Sequence, residues 1–355
     1  MNDGRSIGAF CAVGMVLAAS GMAIPVRPVA RTASIDVSRE VFVMGTRATL
    51  VTYARDRVVG LARLDGFLRI IEETERELST WRPDSQLSRL NRHPVGAPFA
   101  LDDRLCELFR TVRYWQHESL GAFDPAVGAL IDVWGVRTGG AIPSADDQSR
   151  ARAVSGFQHL AFDPRGCTIA RTVDVTMDAG AFGKGEALDR VRTSRLTEDP
   201  WLIDFGGQVA AHGRPPGRAG WPVGLAHPND RMAHVLELLV SGGSLAVSGG
   251  SERDLDVRGT RVGHILDRRT GAPAVGGGAV AVWDDRALVA DILSTALYVM
   301  GPADGIPWAN ARGLAACYLS ASDSDSLGPT TGVASRAFSG RFGPVCGSRM
   351  SVSGR

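Results

Sequence analysis

The stretch ADILSTALYVMG, residues 290–301, is almost wholly apolar, yet Asp291 stands at its start and Ser294 and Thr295 follow one helical turn later. Asp291 and Thr295 are spaced i and i+4, so on a helix their side chains share one face. Two readings account for such a pair on a helix with an otherwise buried composition. In the first, Asp291 lies in the first turn, where a carboxylate favours the helix dipole, and Thr295 bonds back to a carbonyl of the preceding turn. In the second, the two are oxygen ligands of a hard metal ion. Taken alone, the first reading is the simpler, and only the rest of the chain can choose the second.

Working outward, REVFVMGTRATLVTY (39–53) alternates apolar and polar positions as one half-buried strand does. Apolar residues then recur at helical spacing from Asp56 to Leu78, and again from Arg104 to Gln116, where Leu105, Leu108, Phe109, Val112 and Trp115 form a stripe. HLAFD (159–163), TIARTVDV (168–175) and WLIDF (201–205) are short strands, with a helix over about 184–196 between the last two. VLELLVS (235–241), SLAVSG (244–249) and AVAVWD (279–284) are further strands, the 290–301 helix follows, and AACYLS (315–320) closes the pattern. Strands adjacent in sequence with helices inserted irregularly give an α+β fold of mixed, largely antiparallel sheets. No Pro/Gly/Ser linker divides residues 38–340, which read as one domain, with 341–355 a loose tail.

The 355 residues are 44% hydrophobic and 22% charged, the balance of a globular chain with a large core. Thirty-nine basic against 38 acidic residues speak against nucleic acid or an anionic membrane surface as partner. Residues 1–30 differ: after Arg5, the run IGAFCAVGMVLAASGMAI (7–24) is apolar and small, and it ends before Pro25. This is the pattern of a secretory signal peptide with a cleavage site near Ser20 to Ala23, or of an uncleaved anchor. Either way the body is exported, periplasmic or otherwise extracytoplasmic, with attachment to the inner membrane as the anchored alternative. Cys106, Cys167, Cys317 and Cys346 have no CxxC spacing, which argues against zinc and leaves disulfide pairing open.

Several segments have the composition of a ligand site. DAGAFGKGEALD (178–189) puts small residues and Lys184 where a strand passes into a helix, a place suited to an anion, though it is neither a Walker loop nor a GxGxxG turn. IDFGGQVAAHG (203–213) has paired glycines straight after a strand, allowing close backbone approach or a bulge. SGGSERDLDVRGTRVGHILDRRTG (248–271) brings His264 within a few residues of carboxylates and arginines, and no GxSxG elbow accompanies it. Trp81 and Phe123 stand in loop contexts, free to flank a planar ring or to pack in the core.

Taken in chain order, VMGTRATL, ELSTWRPDSQLSRLN, GAFDPAVGALIDVWG, DAGAFGKGEALD, IDFGGQVAAHG, SGGSERDL with GHILDRRTG, and ADILSTALYVMG resemble the signature segments of the ApbE family, from about Met44 to Gly301. Members of that family are FAD:protein FMN transferases. Ala126 stands where the family usually has threonine, Arg268 where it has proline and Trp81 where it has tyrosine; none of these removes a presumed metal or catalytic group.

The resemblance implies that FAD lies in an extended cleft with Mg²⁺ at its pyrophosphate. It implies metal ligation by the Ala181 carbonyl, Asp291 and Thr295, with Ser294 adjacent, an all-oxygen set that suits magnesium. Flavin-nucleotide contacts are implied for Met44, Trp81, Ala122, Phe123, Asp124, Asp178 and Lys184, with Ile265 beside His264. The implied reaction transfers FMN from FAD to a threonine or serine hydroxyl of an acceptor protein, releasing AMP. His264 is the expected base, since histidine titrates near neutrality, and Asp267 the expected group to orient it. By analogy the acceptor is a membrane redox subunit. The same site would serve an FAD pyrophosphatase; an exported flavin-binding protein without chemistry is the remaining alternative.

If residues up to about Ala30 are a signal peptide, N-terminal sequencing of the exported protein will find a start between Met22 and Arg31. Recovery of Met1 in a membrane fraction would instead establish the anchor.

Overall fold

The computed structural model describes residues 34–250, 254–275, 278–321 and 329–344. The signal-peptide expectation and most of the expected tail fall outside them. In chain order the elements are β1 (Ile35–Val43), β2 (Thr46–Ala54), α1 (Arg57–Leu78), α2 (Gln86–Asn91), β3 (Pro98–Ala100), α3 (Asp103–Glu118), α4 (Gly128–Val133) and α5 (Ala145–Ala153). There follow β4 (Leu160–Asp163), β5 (Thr168–Arg171), α6 (Gly183–Arg192), β6 (Trp201–Phe205), β7 (Gln208–His212), β8 (Trp221–His227), β9 (Asp230–Val240) and β10 (Gly242–Gly249). The chain continues through β11 (Leu255–Val257), β12 (Thr260–Val262), β13 (Leu266–Asp267), β14 (Ala272–Pro273), β15 (Ala279–Asp284), α7 (Ala287–Arg312), β16 (Ala315–Ala321), β17 (Thr330–Ala334) and α8 (Arg336–Phe342).

Eight strands form one sheet in the order β1-β2-β6-β7-β10-β15-β16-β17, every neighbouring pair antiparallel. The fold is therefore α+β, as the strand spacing indicated. Strand alternation sends the two sides of each strand to different layers. From β2 and β6, Ala48, Leu50, Trp201, Ile203 and Phe205 pack with Leu64, Phe67 and Ile71 of α1 and with Leu188 and Val191 of α6. Their in-between neighbours Val51, Tyr53 and Leu202 join the opposite layer, where the β8–β9 ribbon brings Trp221, Val223, Leu225 and Leu238.

The stretch 39–53 is not one strand but a hairpin. Met44 (φ 49°) and Gly45 (φ 71°) make a two-residue turn between β1 and β2, with Val43 opposite Thr46. Alternation persists across such a turn, so the pattern alone hides it, and a methionine in the left-handed region is not a usual turn signal. The helix expected to reach 196 stops at Arg192, capped at Thr193, and the strand expected to reach 175 pairs only as far as Arg171.

Residues 290–301 form the first half of α7, which breaks at Gly301 (φ 74°, ψ 168°) before Pro302. Their apolar composition is explained by burial on the sheet, where Leu293 and Leu297 pack with Val280, Val282 and Ala316.

Cys106, in the core face of α3, is disulfide-bonded to Cys167 in the β4–β5 turn, 61 residues away. Cys317 is buried. Closing a loop of that length removes roughly 4 kcal/mol of unfolded-state entropy in the chain-entropy account. We expect non-reducing peptide mapping to recover Cys106 linked to Cys167, and the double Ser variant to unfold at clearly lower denaturant. Unlinked peptides would refute the bridge.

Candidate active site

The site is built on the junction of α6 and α7. The chain turns at Ala179, whose carbonyl accepts from the Phe182 and Gly183 N–H groups, and α6 starts at Gly183. Gly185 cannot carry a side chain: a Cβ there would lie 2.5 Å from the Ala287 carbonyl oxygen and 2.7 Å from Leu288 Cα. This contact lets the helices cap one another. Asp189 of α6 accepts from the first N–H groups of α7, Ala287 at 2.8 Å and Leu288 at 3.2 Å. In return Asp291 Oδ2 accepts from the Gly185 N–H at 2.9 Å, near the start of α6.

Asp291 thus does serve a helix N-terminus, but not that of its own helix. Ala181 precedes the α6 N-cap, Phe182, so its carbonyl lies outside the α6 ladder. Ser294 Oγ donates back to the Asp291 carbonyl and meets Ser248 Oγ of β10, both at 2.9 Å. The back-bonding hydroxyl is therefore Ser294, and Thr295 lies half-buried beside it. Among the described residues no three His, Cys, Asp or Glu side chains gather as a metal cluster. The oxygens here are of another kind: one carboxylate on a residue only 5% exposed, a main-chain carbonyl just ahead of α6, and hydroxyls. That donor chemistry fits a hard divalent cation that keeps part of its coordination for water or phosphate.

Lys184 Nζ donates to the Gly206 carbonyl at 2.9 Å, tethering the start of α6 to the β6–β7 turn. Gly206 (φ 52°) has no room for a Cβ, which would meet Thr46 Oγ1 at 2.2 Å. The paired-glycine turn thus packs against the β1–β2 turn. Met44 sits in that turn: its N–H donates to Glu75 Oε1 at 3.1 Å, and its Cε approaches Gly183. Met44, Lys184 and the two turns therefore meet at the start of α6.

Trp81 is 73% exposed, and the Arg137 guanidinium lies 5.2 Å from its ring centroid. Arg137 also donates to Thr80 Oγ1 at 2.9 Å and to Asp178, whose other oxygen accepts from the Gly180 N–H. Trp81 and Asp178, distant in sequence, are joined by Arg137, a single arginine after VWGV that no motif marks.

Phe123 presents no open ring face. It is fully buried in the core with Phe109 and Phe182, and Ala122 is buried next to it. Asp124 accepts from the Ala126 and Phe157 N–H groups and from Gln116, and burial pushes its carboxyl pKa up. Side chains at 122–124 thus hold this turn in place.

His264 lies between β12 and β13, and its Nδ1 is 3.3 Å from Asp254 Oδ1. Asp267 does not orient it. Both Asp267 oxygens are held by Arg269, through its main-chain N–H at 2.8 Å and its guanidinium at 2.9–3.2 Å. Two residues from Arg269, Asp267 is placed for a local turn rather than for the histidine. Ile265 packs against the cluster that includes Leu293 and Leu297 of α7. Arg253 lies outside the described residues.

The ApbE family profile matches residues 44–318. Over 252 residues the chain is 28% identical to the FAD:protein FMN transferase of Vibrio cholerae serotype O1, covering 69% of this chain and 75% of that one. Over 323 residues it is 32% identical to the FAD:protein FMN transferase of Rhodobacter capsulatus, covering 85% and 58%. The apo structure of Pseudomonas stutzeri flavinyl transferase ApbE superposes with a TM-score of 0.76 at 29% identity, over 88% of this chain and 98% of that one. The Thermotoga maritima apbe protein gives 0.78 at 25%, over 87% and 99%. The profile match runs from the Met44 turn through the α6–α7 junction and His264 to Tyr318 in β16, and on that extent the chain belongs to the ApbE family.

Proposed function

We propose that the protein transfers the FMN moiety of FAD to a threonine or serine hydroxyl of an acceptor protein, in a Mg²⁺-dependent reaction that releases AMP. The observation that carries this reading is the α6–α7 junction, where Asp291 accepts from the Gly185 N–H next to Lys184, with Ala181 just ahead of α6 and Thr295 one turn further along α7. The relatives named above are FAD:protein FMN transferases, which supports the same activity here.

The acceptor oxygen forms a bond to the FMN-side phosphorus while the bond to the AMP phosphate breaks, and the hydroxyl proton must leave. Asp291, Thr295 and the Ala181 carbonyl, with Ser294 beside them, would hold Mg²⁺, which when bound supplies charge neutralisation at the pyrophosphate. Lys184 and the N–H groups at the start of α6 add positive potential there. Trp81 offers a stacking face for the flavin, kept in place by Arg137. His264 takes the proton. The reading includes export, directed by residues 7–24 and suited to a disulfide-bonded domain, with an extracytoplasmic acceptor such as a membrane redox subunit.

Asp291→Asn keeps an acceptor for the Gly185 N–H but removes the charge, so the fold should survive. We expect its melting temperature to stay close to wild type while FMN transfer, followed by mass spectrometry of an acceptor domain, falls at least about 100-fold and responds to added Mg²⁺. Full transfer at low Mg²⁺ would return Asp291 to a purely helix-capping role.

His264→Asn should bind FAD with near-normal affinity by fluorescence quenching and transfer FMN about 10²–10⁴-fold more slowly in single turnover. Binding and rate falling together would make His264 a nucleotide contact instead.

A further inference from the structure

We infer that Asp254 is the positioning residue for His264, the carboxylate that fixes which ring nitrogen is free to take the acceptor proton. The inference rests on the reading of His264 as the base and goes beyond it in naming what makes it one.

Asp254 and His264 come together because β11 and β12 fold back as a two-stranded ribbon, Leu255 opposite Val262, so the residues flanking the ribbon meet at its open end. There Asp254 Oδ1 faces both the His264 main-chain N–H, at 3.4 Å, and Nδ1 of its ring, at 3.3 Å. One oxygen thus meets backbone and ring of the same residue, which limits both the ring's position and its rotation. The contacts are at the long end of hydrogen bonding, as catalytic pairs often are before substrate tightens them. Both side chains are largely sequestered, at 20% exposure for His264 and 13% for Asp254.

Small residues make the approach possible. A Cβ at Gly250 would lie 2.6 Å from Asp254 Oδ2 and 3.5 Å from the Tyr298 hydroxyl. The end of β10 therefore brings the carboxylate close to α7, two turns beyond Asp291. The same helix carries the Asp291–Thr295 face and borders the Asp254–His264 pair, so the proposed cation and base share one rigid support.

An ionised carboxylate only accepts, so a ring facing it through Nδ1 carries its proton there, and the lone pair is on Nε2. Asp254 then does two things: it selects the Nδ1–H tautomer, and it stabilises the imidazolium formed when the hydroxyl proton arrives. Asp267 does neither, its oxygens being taken by Arg269.

The test compares Asp254→Asn, Asp254→Glu, His264→Asn and the Asp254→Asn/His264→Asn double variant in the full chain, with FAD, Mg²⁺ and an acceptor domain. Asp254→Asn should bind FAD within about twofold of wild type yet transfer FMN at least about 100-fold more slowly, because an amide can donate to Nδ1 and favour the wrong tautomer. Asp254→Glu should recover part of the rate, and the double variant should be no slower than His264→Asn alone, as for residues acting as a unit. Histidine ¹⁵N NMR should report Nδ1–H at His264 in the wild type and lose that signature in Asp254→Asn. If Asp254→Asn transfers within about threefold of wild type while His264→Asn is slow, the positioning role is overturned and the base stands. If His264→Asn is itself fast, both fall. Additive losses in the double variant, with an unchanged NMR tautomer, make Asp254 structural and overturn the inference.

Discussion

The reciprocal capping of α6 and α7 is the contact on which the site depends. Each helix would otherwise begin with buried, unsatisfied N–H groups, and each supplies the carboxylate the other lacks: Asp189 to Ala287 and Leu288, Asp291 to Gly185. Neither helix has a side-chain cap from the residue preceding its own first turn. Leaving a buried donor unpaired costs about 1–3 kcal/mol, so the two starts are held as one unit. Gly185 is what permits the approach, since any side chain would enter the first turn of α7.

From that unit the remaining parts are placed by turns. Lys184 reaches the Gly206 carbonyl, Gly206 packs on Thr46, and Thr46 follows the Met44–Gly45 turn, so two hairpin ends of the main sheet close on the start of α6. On the other side, Trp81 and Asp178 are joined by Arg137. The sheet gives rigidity, while these groups sit at strand and helix ends, where backbone groups are available.

Carboxylates in this protein divide by what holds them. Asp124 is saturated by main-chain N–H groups, and its raised pKa reflects burial rather than a proton-transfer role. Asp267 is neutralised by Arg269. Asp291 gives one oxygen to a helix start, and Asp254 faces an imidazole. The latter two have the environments of functional groups, and both stand in family-like segments, Asp254 in SGGSERDL and Asp291 in ADILSTALYVMG.

The sequence by itself determined the α+β class, the burial of residues 290–301, and, through seven ordered segments, the family. Those features are local in origin: hydrophobic period, glycine placement and short motifs are written in neighbouring residues. Pairings across the chain were not legible. Alternation looks the same through a two-residue turn as along one strand, so the Met44–Gly45 hairpin stayed hidden. Asp267 is three residues from His264 and Asp254 ten, yet Asp254 is the partner, because a hairpin brings its flanks together while Asp267 is claimed two residues away by Arg269. Arg137 on Trp81, Asp189 on α7 and Cys106 on Cys167 are likewise contacts between residues far apart in the chain. Only the tertiary structure decides such contacts, because they depend on which elements pack together, and no spacing along the chain encodes that.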